Sequence, residues 1–255
     1  MSAVPERPAA DPWEPLRGLT QARIGLGRSG SSLPTRRVLE FRAAHAAARD
    51  AVHEPLDVDG LVAALGELDL GDVAQVSSCA GSRGEYLRRP DLGRRPAGLS
   101  AVPASDADVG IVLADGLSPR ALAAHGPGLM AALVERLGAT YSVAPPVIAT
   151  QARVGLGDHV GQAMGVDTLV VVIGERPGLS VADSLGIYLT HRPRPGLSDA
   201  DRNCLSNIHP PEGMGYDAAA SVVTALVAGA RELGRSGIAL KDSSRAVAAV
   251  DGGGA

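Results

Sequence analysis

The pattern of apolar and polar residues along the chain shows two periodicities, one typical of helices and one typical of strands. Apolar positions between Thr35 and Val52 recur at the spacing of one helix face, so we predict a helix there, capped by Ser32 or Thr35 and ended by Pro55. Short runs rich in branched residues predict strands. The other predicted elements are a helix at 61–68, strands at 72–78, 109–113, 141–148, 169–173 and 185–190, and helices at 118–137, interrupted at 126–128, and 218–233.

This order of elements predicts an α/β fold. Strands that alternate with helices, and that are apolar without a period, form a mostly parallel sheet with helices on both faces. We divide the chain into a flexible Pro-rich tail (1–19), an N-terminal helical segment (20–70) and an α/β domain (71–250). Prolines in the tail should prevent a regular helix. Trp13 is either an exposed tail residue or an anchor into a partner.

Two long stretches, 79–107 and 192–216, lack a periodic pattern and are predicted to be loops. The first is rich in arginine, which is typical either of a solvated loop or of a contact with an acidic partner or a phosphate-bearing ligand. The second contains several prolines and Cys204. Long irregular stretches within a domain are often functional.

Composition argues against several classes of function. The net charge is −4 and aromatic residues are 2% of the chain, so neither nucleic acid nor a membrane surface is an expected partner. Lys241 is the only lysine and stands in neither a phosphate-binding loop nor a Schiff-base context. Cys79 and Cys204 are far apart, as in a protein of a reducing compartment, and no apolar run is long enough for a signal or a membrane span.

Candidate binding residues follow three predicted strands. Open α/β sheets bind ligands beyond the carboxyl ends of their parallel strands, where Asp115, Glu175 and the loop at Arg192 are expected. Glu175 directly follows an apolar run and could accept hydrogen bonds from amide groups of a ligand. A salt bridge from Glu175 to an arginine is an equally open interpretation.

Glycine patterns occur twice. Residues 25–30 match G-x-G-x-x-G, but the preceding stretch is too short and polar for the buried strand that a dinucleotide site requires, and Pro34 delays the helix. Residues 152–157 carry a similar Arg-x-Gly-Leu-Gly turn, which is typical of an ordinary turn or of backbone in close contact with a ligand. The histidines and cysteines form no metal-ligand spacing and no nucleophile–base pair. The chain therefore resembles a subunit that holds part of a site, without catalytic residues of its own.

Several stretches in matching order resemble the small subunit family of ethanolamine ammonia-lyase. The most specific are Ile173-Gly174-Glu175-Arg176-Pro177-Gly178-Leu179 and Arg202-Asn203-Cys204-Leu205-Ser206-Asn207-Ile208. Segments at 22–30, 34–52, 89–94 and 114–118 complete the resemblance, which covers nearly the whole chain beyond the tail.

The resemblance implies a Rossmann-like sheet and a role in adenosylcobalamin-dependent radical conversion of ethanolamine to acetaldehyde and ammonia. A large TIM-barrel subunit would bind ethanolamine, and the two chains would form a higher hetero-oligomer with cobalamin at their interface. By position in the motifs, the cobalamin contacts of this chain would be Val154, Glu175 and Cys204. A cytoplasmic location is implied, with packaging in a bacterial microcompartment left open, because the tail lacks the amphipathic helix used for it.

Two other functions remain open at this point. The glycine pattern at 25–30 suggests a stand-alone nicotinamide-dependent oxidoreductase. The arginines of 83–95 suggest a non-catalytic scaffold that docks an acidic partner.

Overall fold

The structure is a computed structural model that describes residues 11–242. Residues 1–10 of the predicted tail and 243–250 of the predicted domain lie outside the described residues. The helices are α1 (Glu14–Arg17), α2 (Thr35–His53), α3 (Val58–Gly66), α4 (Arg83–Arg88), α5 (Pro119–Gly138), α6 (Val154–Met164) and α7 (Tyr216–Leu233). The strands are β1 (Ala74–Ser77), β2 (Val109–Ala114), β3 (Val147–Thr150), β4 (Thr168–Gly174), β5 (Leu185–His191) and β6 (Asn203–Ile208).

The strands form one sheet in the order β1-β3-β2-β4-β5-β6. Neighbours from β1 to β4 pair in parallel, whereas β5 runs antiparallel to both β4 and β6. Every residue of β2 and of β4 is buried, which explains why these strands are apolar without alternation. The predicted α/β fold with a mostly parallel sheet is confirmed.

Helices cover both faces of the sheet, as predicted. On one face α3, α5 and α7 pack on alternate strand residues such as Ile111 and Val170. On the other face α6 packs on the intervening residues, which include Val112 and Val171. The two-residue alternation of a strand therefore divides the apolar core into two layers, one on each side of the sheet.

Helix α5 begins as predicted, with the Ser118 hydroxyl accepting a hydrogen bond from the backbone N–H of Ala121 at 3.2 Å. The predicted interruption at 126–128 is wrong, because the helix continues through Pro127. Gly128 has a packing role: a Cβ at this position would lie 2.6 Å from the ring of Tyr216 at the start of α7. The glycine signal therefore reflects close contact between two helices.

Other elements differ from the prediction in position or kind. The strand expected at 141–148 is only the short β3, and the basic stretch at 79–107 contains α4. The stretch at 192–216 was predicted to be a loop but contains β6, so Cys204 lies on a strand. Helix α6 was not predicted at all. The N-cap of α2 is Pro34, without a side-chain cap, in place of Ser32 or Thr35.

The described part of the N-terminal tail contains one helical turn that was not predicted. Residues Glu14–Arg17 form one helical turn, since Pro15 stands in the first turn, where its missing N–H does not matter. Trp13 remains half-exposed, and its side chain packs on Gly25, where any Cβ would collide with the indole. Trp13 thus holds the tail against the 20–30 segment.

Candidate functional site

A hollow of about 290 Å³ lies beyond the carboxyl ends of β2, β3 and β4, where the sequence predicted a ligand edge. Gly116 and Leu117 border it after β2, Arg153 to Gly155 after β3, and Ile173 to Arg176 at the end of β4. In the sheet, β3 lies on one side of β2 and β4 lies on the other. The chain passes from β2 to β3 through α5 and then from β3 back past β2 to β4 through α6. The hollow therefore occupies the kind of switch point at which open α/β sheets bind ligands.

Val154 is the first residue of α6 and lines the hollow. Among the described residues no side chain caps this helix. The Leu156 N–H donates to the Arg153 carbonyl at 2.9 Å, so only the N–H groups of Val154 and Gly155 remain at the wall of the hollow. Gly155 follows on the same wall. The predicted Arg-x-Gly-Leu-Gly turn is thus the start of a helix, with both apolar surface and backbone N–H groups at its tip.

Glu175 directly follows β4 and is half-buried on the opposite wall. Its Oε2 accepts hydrogen bonds from the Ser184 hydroxyl at 2.7 Å and from the Asn207 backbone N–H at 3.1 Å. Within residues 11–242, Glu175 therefore pairs with these two neutral donors, and not with an arginine, which was the alternative interpretation of the sequence. Ser184 and Asn207 thus fix the carboxylate on the wall of the hollow.

Cys204 lies on β6 beside the hollow, and Tyr188 separates the two. Tyr188 lines the hollow and pairs with Cys204 across the β5–β6 ladder. Burial, followed by the adjacent Cys204, raises the pKa of Tyr188 to about 12, so the phenol stays protonated at neutral pH. The Cys204 side chain itself is exposed. The structure therefore brings Val154 and Glu175 into one hollow and places Cys204 at its edge.

Asp115 is a buried anchor of the fold and does not line the hollow. Its carboxylate accepts hydrogen bonds from the backbone N–H groups of Gln151 and Ala152, at 2.8 and 3.0 Å, and forms an ion pair with Arg83 at 3.3 Å. Burial raises the pKa of Asp115, and these donors oppose the shift. The residue joins the end of β2 to the segment that leads from β3 into α6.

A buried ion pair joins the two elements that carry Val154 and Cys204. The Arg202 guanidinium contacts both carboxylate oxygens of Asp158 on α6, at 2.7 and 2.8 Å, and both side chains are almost completely buried. Arg202 also donates to the Thr190 hydroxyl and the Leu197 carbonyl. This pairing ties α6 to the start of β6 and neutralises both buried charges. The Arg202 Nε has no hydrogen-bond partner among the described residues, and its nearest carboxylate is that of Asp199 at 3.6 Å.

Comparison with known proteins assigns the chain to a family. The family model "Ethanolamine ammonia-lyase light chain (EutC)" matches residues 10–241. A Rhodococcus erythropolis protein named ethanolamine ammonia-lyase small subunit is 65% identical over 247 residues, which are 97% of this chain and 96% of that protein.

The chain belongs to the ethanolamine ammonia-lyase light chain family. Proteins of the same name from Bradyrhizobium diazoefficiens and Ralstonia nicotianae are 48% and 46% identical, over 95% and 92% of this chain and 93% and 89% of theirs. The resemblance found in the sequence motifs is confirmed. A light chain, or small subunit, implies a large partner subunit.

The structure of this light chain does not support a dinucleotide site at 25–30. A dinucleotide fingerprint joins a buried strand directly to a helix. Here residues 11–24 contain no strand before Gly25, and α2 begins only at Thr35. Gly25, Gly27 and Gly30 all have positive φ, at 56°, 76° and 63°, so the glycines serve the turns of an irregular segment.

The prediction that Arg192 lies at the ligand edge is wrong. Strand β5 runs antiparallel to β4, so its carboxyl end is at the opposite edge of the sheet from Glu175. The start of β5 and the end of β6 border the Glu175 side instead. Sequence alone did not show the direction of β5.

Arg94, Arg153 and Tyr188 also line the hollow of the light chain. The sequence indicates Arg94 only as a member of the arginine-rich stretch, for which a ligand contact is one alternative, and it does not single out Arg153 or Tyr188. Arg153 stacks on one side of the Tyr86 ring, with its guanidinium carbon 4.4 Å from the ring centroid, and Arg83 stacks at 4.8 Å. The Tyr86 hydroxyl donates to the Ala152 carbonyl at 3.0 Å. The arginine-rich stretch is thus partly internal structure, and the only signal for it was its dense arginine content.

Within 11–242 no cluster of histidine, cysteine and acidic side chains has the geometry to hold a metal ion. Over the same range, no helix has both the length and the apolar character needed to cross a bilayer.

Proposed function

We propose that this chain is the small subunit of an adenosylcobalamin-dependent ethanolamine ammonia-lyase and forms one wall of the cobalamin site at the interface with the large subunit. The observation that carries the proposal is the hollow at the switch point, which brings Val154 and Glu175 together with Cys204 at its edge. Family membership supports the same assignment.

The hollow fits part of a corrin ligand. At about 290 Å³ it is near the lower limit for a drug-sized molecule, and cobalamin is considerably larger. This chain therefore supplies a single wall, and the rest of the site belongs to the partner. The hollow is lined by the carboxylates of Glu175 and Asp199, by arginine side chains and by the apolar side chains of Val154 and Ile173. Hydrogen-bond acceptors, hydrogen-bond donors and apolar surface together suit a macrocycle that carries amide side chains on an apolar body.

Each residue would have a binding role. Glu175 would accept a hydrogen bond from a corrin amide, Val154 would provide apolar contact, and Cys204, beside Tyr188, would pack at the macrocycle edge. Cobalamin supplies the radical by which ethanolamine is converted to acetaldehyde and ammonia. None of these side chains acts as acid, base or nucleophile, so the chain requires a large TIM-barrel subunit that binds ethanolamine.

We also propose assembly into a higher hetero-oligomer in the cytoplasm, without nucleic acid or membrane partners. Cys79 and Cys204 are both free thiols, as expected in a reducing compartment. Packaging in a microcompartment stays open, since residues 1–10 lie outside the described residues.

Reconstitution tests the proposal. The chain is purified with and without its large partner, and acetaldehyde release from ethanolamine is assayed with added adenosylcobalamin. We expect activity only from the complex, and activity of the lone chain would refute the partner requirement. Tight binding of NADH by the lone chain, followed by fluorescence, would favour the oxidoreductase, and a complex without corrin absorbance would favour a scaffold.

A substitution tests the role of Glu175 in the assembled complex. Glu175→Ala should weaken cobalamin retention by about 1 to 3 kcal/mol, or about 5- to 150-fold, because a buried amide loses its acceptor. Glu67→Ala is the matched control, since Glu67 is exposed at the end of α3. Equal retention by both variants would show that Glu175 does not contact the ligand.

A further inference from the structure

The two carboxylate oxygens of Glu175 have different surroundings. Oε2 accepts both hydrogen bonds that the described residues donate to this carboxylate, one from the Ser184 hydroxyl and one from the Asn207 backbone N–H. Charge-assisted bonds of this length hold a side chain in one orientation. Oε1 accepts no hydrogen bond from residues 11–242, so its lone pairs remain available to a ligand.

Gly186 on β5 makes this orientation possible. A Cβ at Gly186 would lie 3.1 Å from Oε1 and 3.3 Å from Cγ of Glu175, closer than most real contacts. Without a side chain at this position, the carboxylate lies against the strand while Glu175 still borders the hollow. Ser184, which precedes β5, is itself buried and has little freedom to turn away.

We propose that Ser184 is a positioning residue for cobalamin: with the Asn207 N–H it holds Oε2 of Glu175 and leaves Oε1 as the single acceptor for one primary-amide N–H of the ligand. The inference rests on the proposed function and deepens it. Without the Ser184 hydroxyl the carboxylate can rotate, and Oε2 competes with Oε1 for the same donor. Binding then becomes weaker although Glu175 remains in place.

The test measures cyanocobalamin binding to the assembled apo-complex by equilibrium dialysis, so activity is not the readout. Ser184→Ala should raise the dissociation constant about 2- to 12-fold, the equivalent of one hydrogen bond. If Ser184 acts through Glu175, adding Ser184→Ala to Glu175→Ala should change nothing further, whereas independent effects multiply. Non-additivity separates positioning from a general structural defect.

Each outcome decides the inference. The inference is supported if Ser184→Ala weakens cyanocobalamin binding in the parent complex but not in the Glu175→Ala complex. It is overturned if Ser184→Ala leaves binding unchanged, or if the double variant loses the full additional amount. If Glu175→Ala itself has no effect, the assignment of Glu175 fails and the inference with it. Should Ser184→Ala not assemble, Ser184→Cys keeps the shape with a weaker donor, and unchanged binding by that variant again overturns the inference.

Discussion

Removing one partner of the buried Asp158–Arg202 ion pair should destabilise the chain strongly. Asp158→Ala leaves the Arg202 guanidinium with the Thr190 hydroxyl, the Leu197 carbonyl and the exposed Asp199 carboxylate 3.6 Å from its Nε, but without its bidentate carboxylate. The two side chains are only 4% and 3% exposed, so water does not replace the lost contact. Breaking such a pair costs about 3 to 5 kcal/mol. For a protein of this size the loss corresponds to a decrease in Tm of about 6 to 20 °C.

The assay is thermal unfolding of the purified chain, followed by circular dichroism, with two comparison variants. Asp91→Ala removes a carboxylate that pairs with Arg89 at an exposed site, so its Tm should be nearly that of the parent. Asp158→Leu combined with Arg202→Met replaces both charges by apolar groups and should be more stable than Asp158→Ala. If Asp158→Ala lowers Tm no more than Asp91→Ala does, the buried pair does not hold α6 to β6.

Two more predictions concern packing and pH. Gly157→Ala should lower the free energy of unfolding by about 1 to 3 kcal/mol, because the new Cβ would lie 2.5 Å from Cγ2 of Val171. Gly155→Ala is the control and should not destabilise the chain, because its Cβ would only contact Arg94, at 3.5 Å or more. Equal midpoints of urea unfolding for the two variants would refute this packing effect. Burial, and to a lesser extent the nearby Arg192, lowers the pKa of His191 below its usual value of 6.5. Neutral His191 therefore stabilises the fold fully above about pH 6.5, and this stabilisation is lost as the pH falls through the pKa of the folded state. His191→Gln should therefore show a smaller loss of unfolding free energy between about pH 7.5 and about pH 5.5, and identical pH profiles would contradict this.

The core of the fold could be predicted because its local signals agree with its packing. Strands β2 and β4 are apolar throughout and buried on both faces, and Ser118-Pro119 marks the start of α5 in both sequence and structure. Helix α6 could not be predicted, because Gly157 and Gly161 lower helix propensity. These glycines are required for close approach: Cβ atoms there would lie 2.5 Å from Val171 and 2.6 Å from Pro193.

The site was predictable only in part, for a similar reason. Open α/β sheets bind ligands beyond the carboxyl ends of their parallel strands, and Glu175 directly follows the apolar strand β4, so its position near a ligand could be predicted. The same rule predicted Asp115, which follows β2, to lie beside a ligand. Its carboxylate instead accepts hydrogen bonds from backbone N–H groups of the β3–α6 connection and is held inside the fold. Strand β6 has an irregular register and only Leu205 and Ile208 buried, so no alternating pattern marked Cys204 as part of a strand.

We propose above that this chain forms one wall of a cobalamin site completed by its large partner. A structure of the reconstituted two-subunit complex with cyanocobalamin tests it most directly. We expect the corrin to cover the hollow, with an amide nitrogen within hydrogen-bond distance of Glu175 Oε1 and with Val154 in van der Waals contact. A corrin bound wholly within the large subunit, with the hollow filled by solvent, would contradict it.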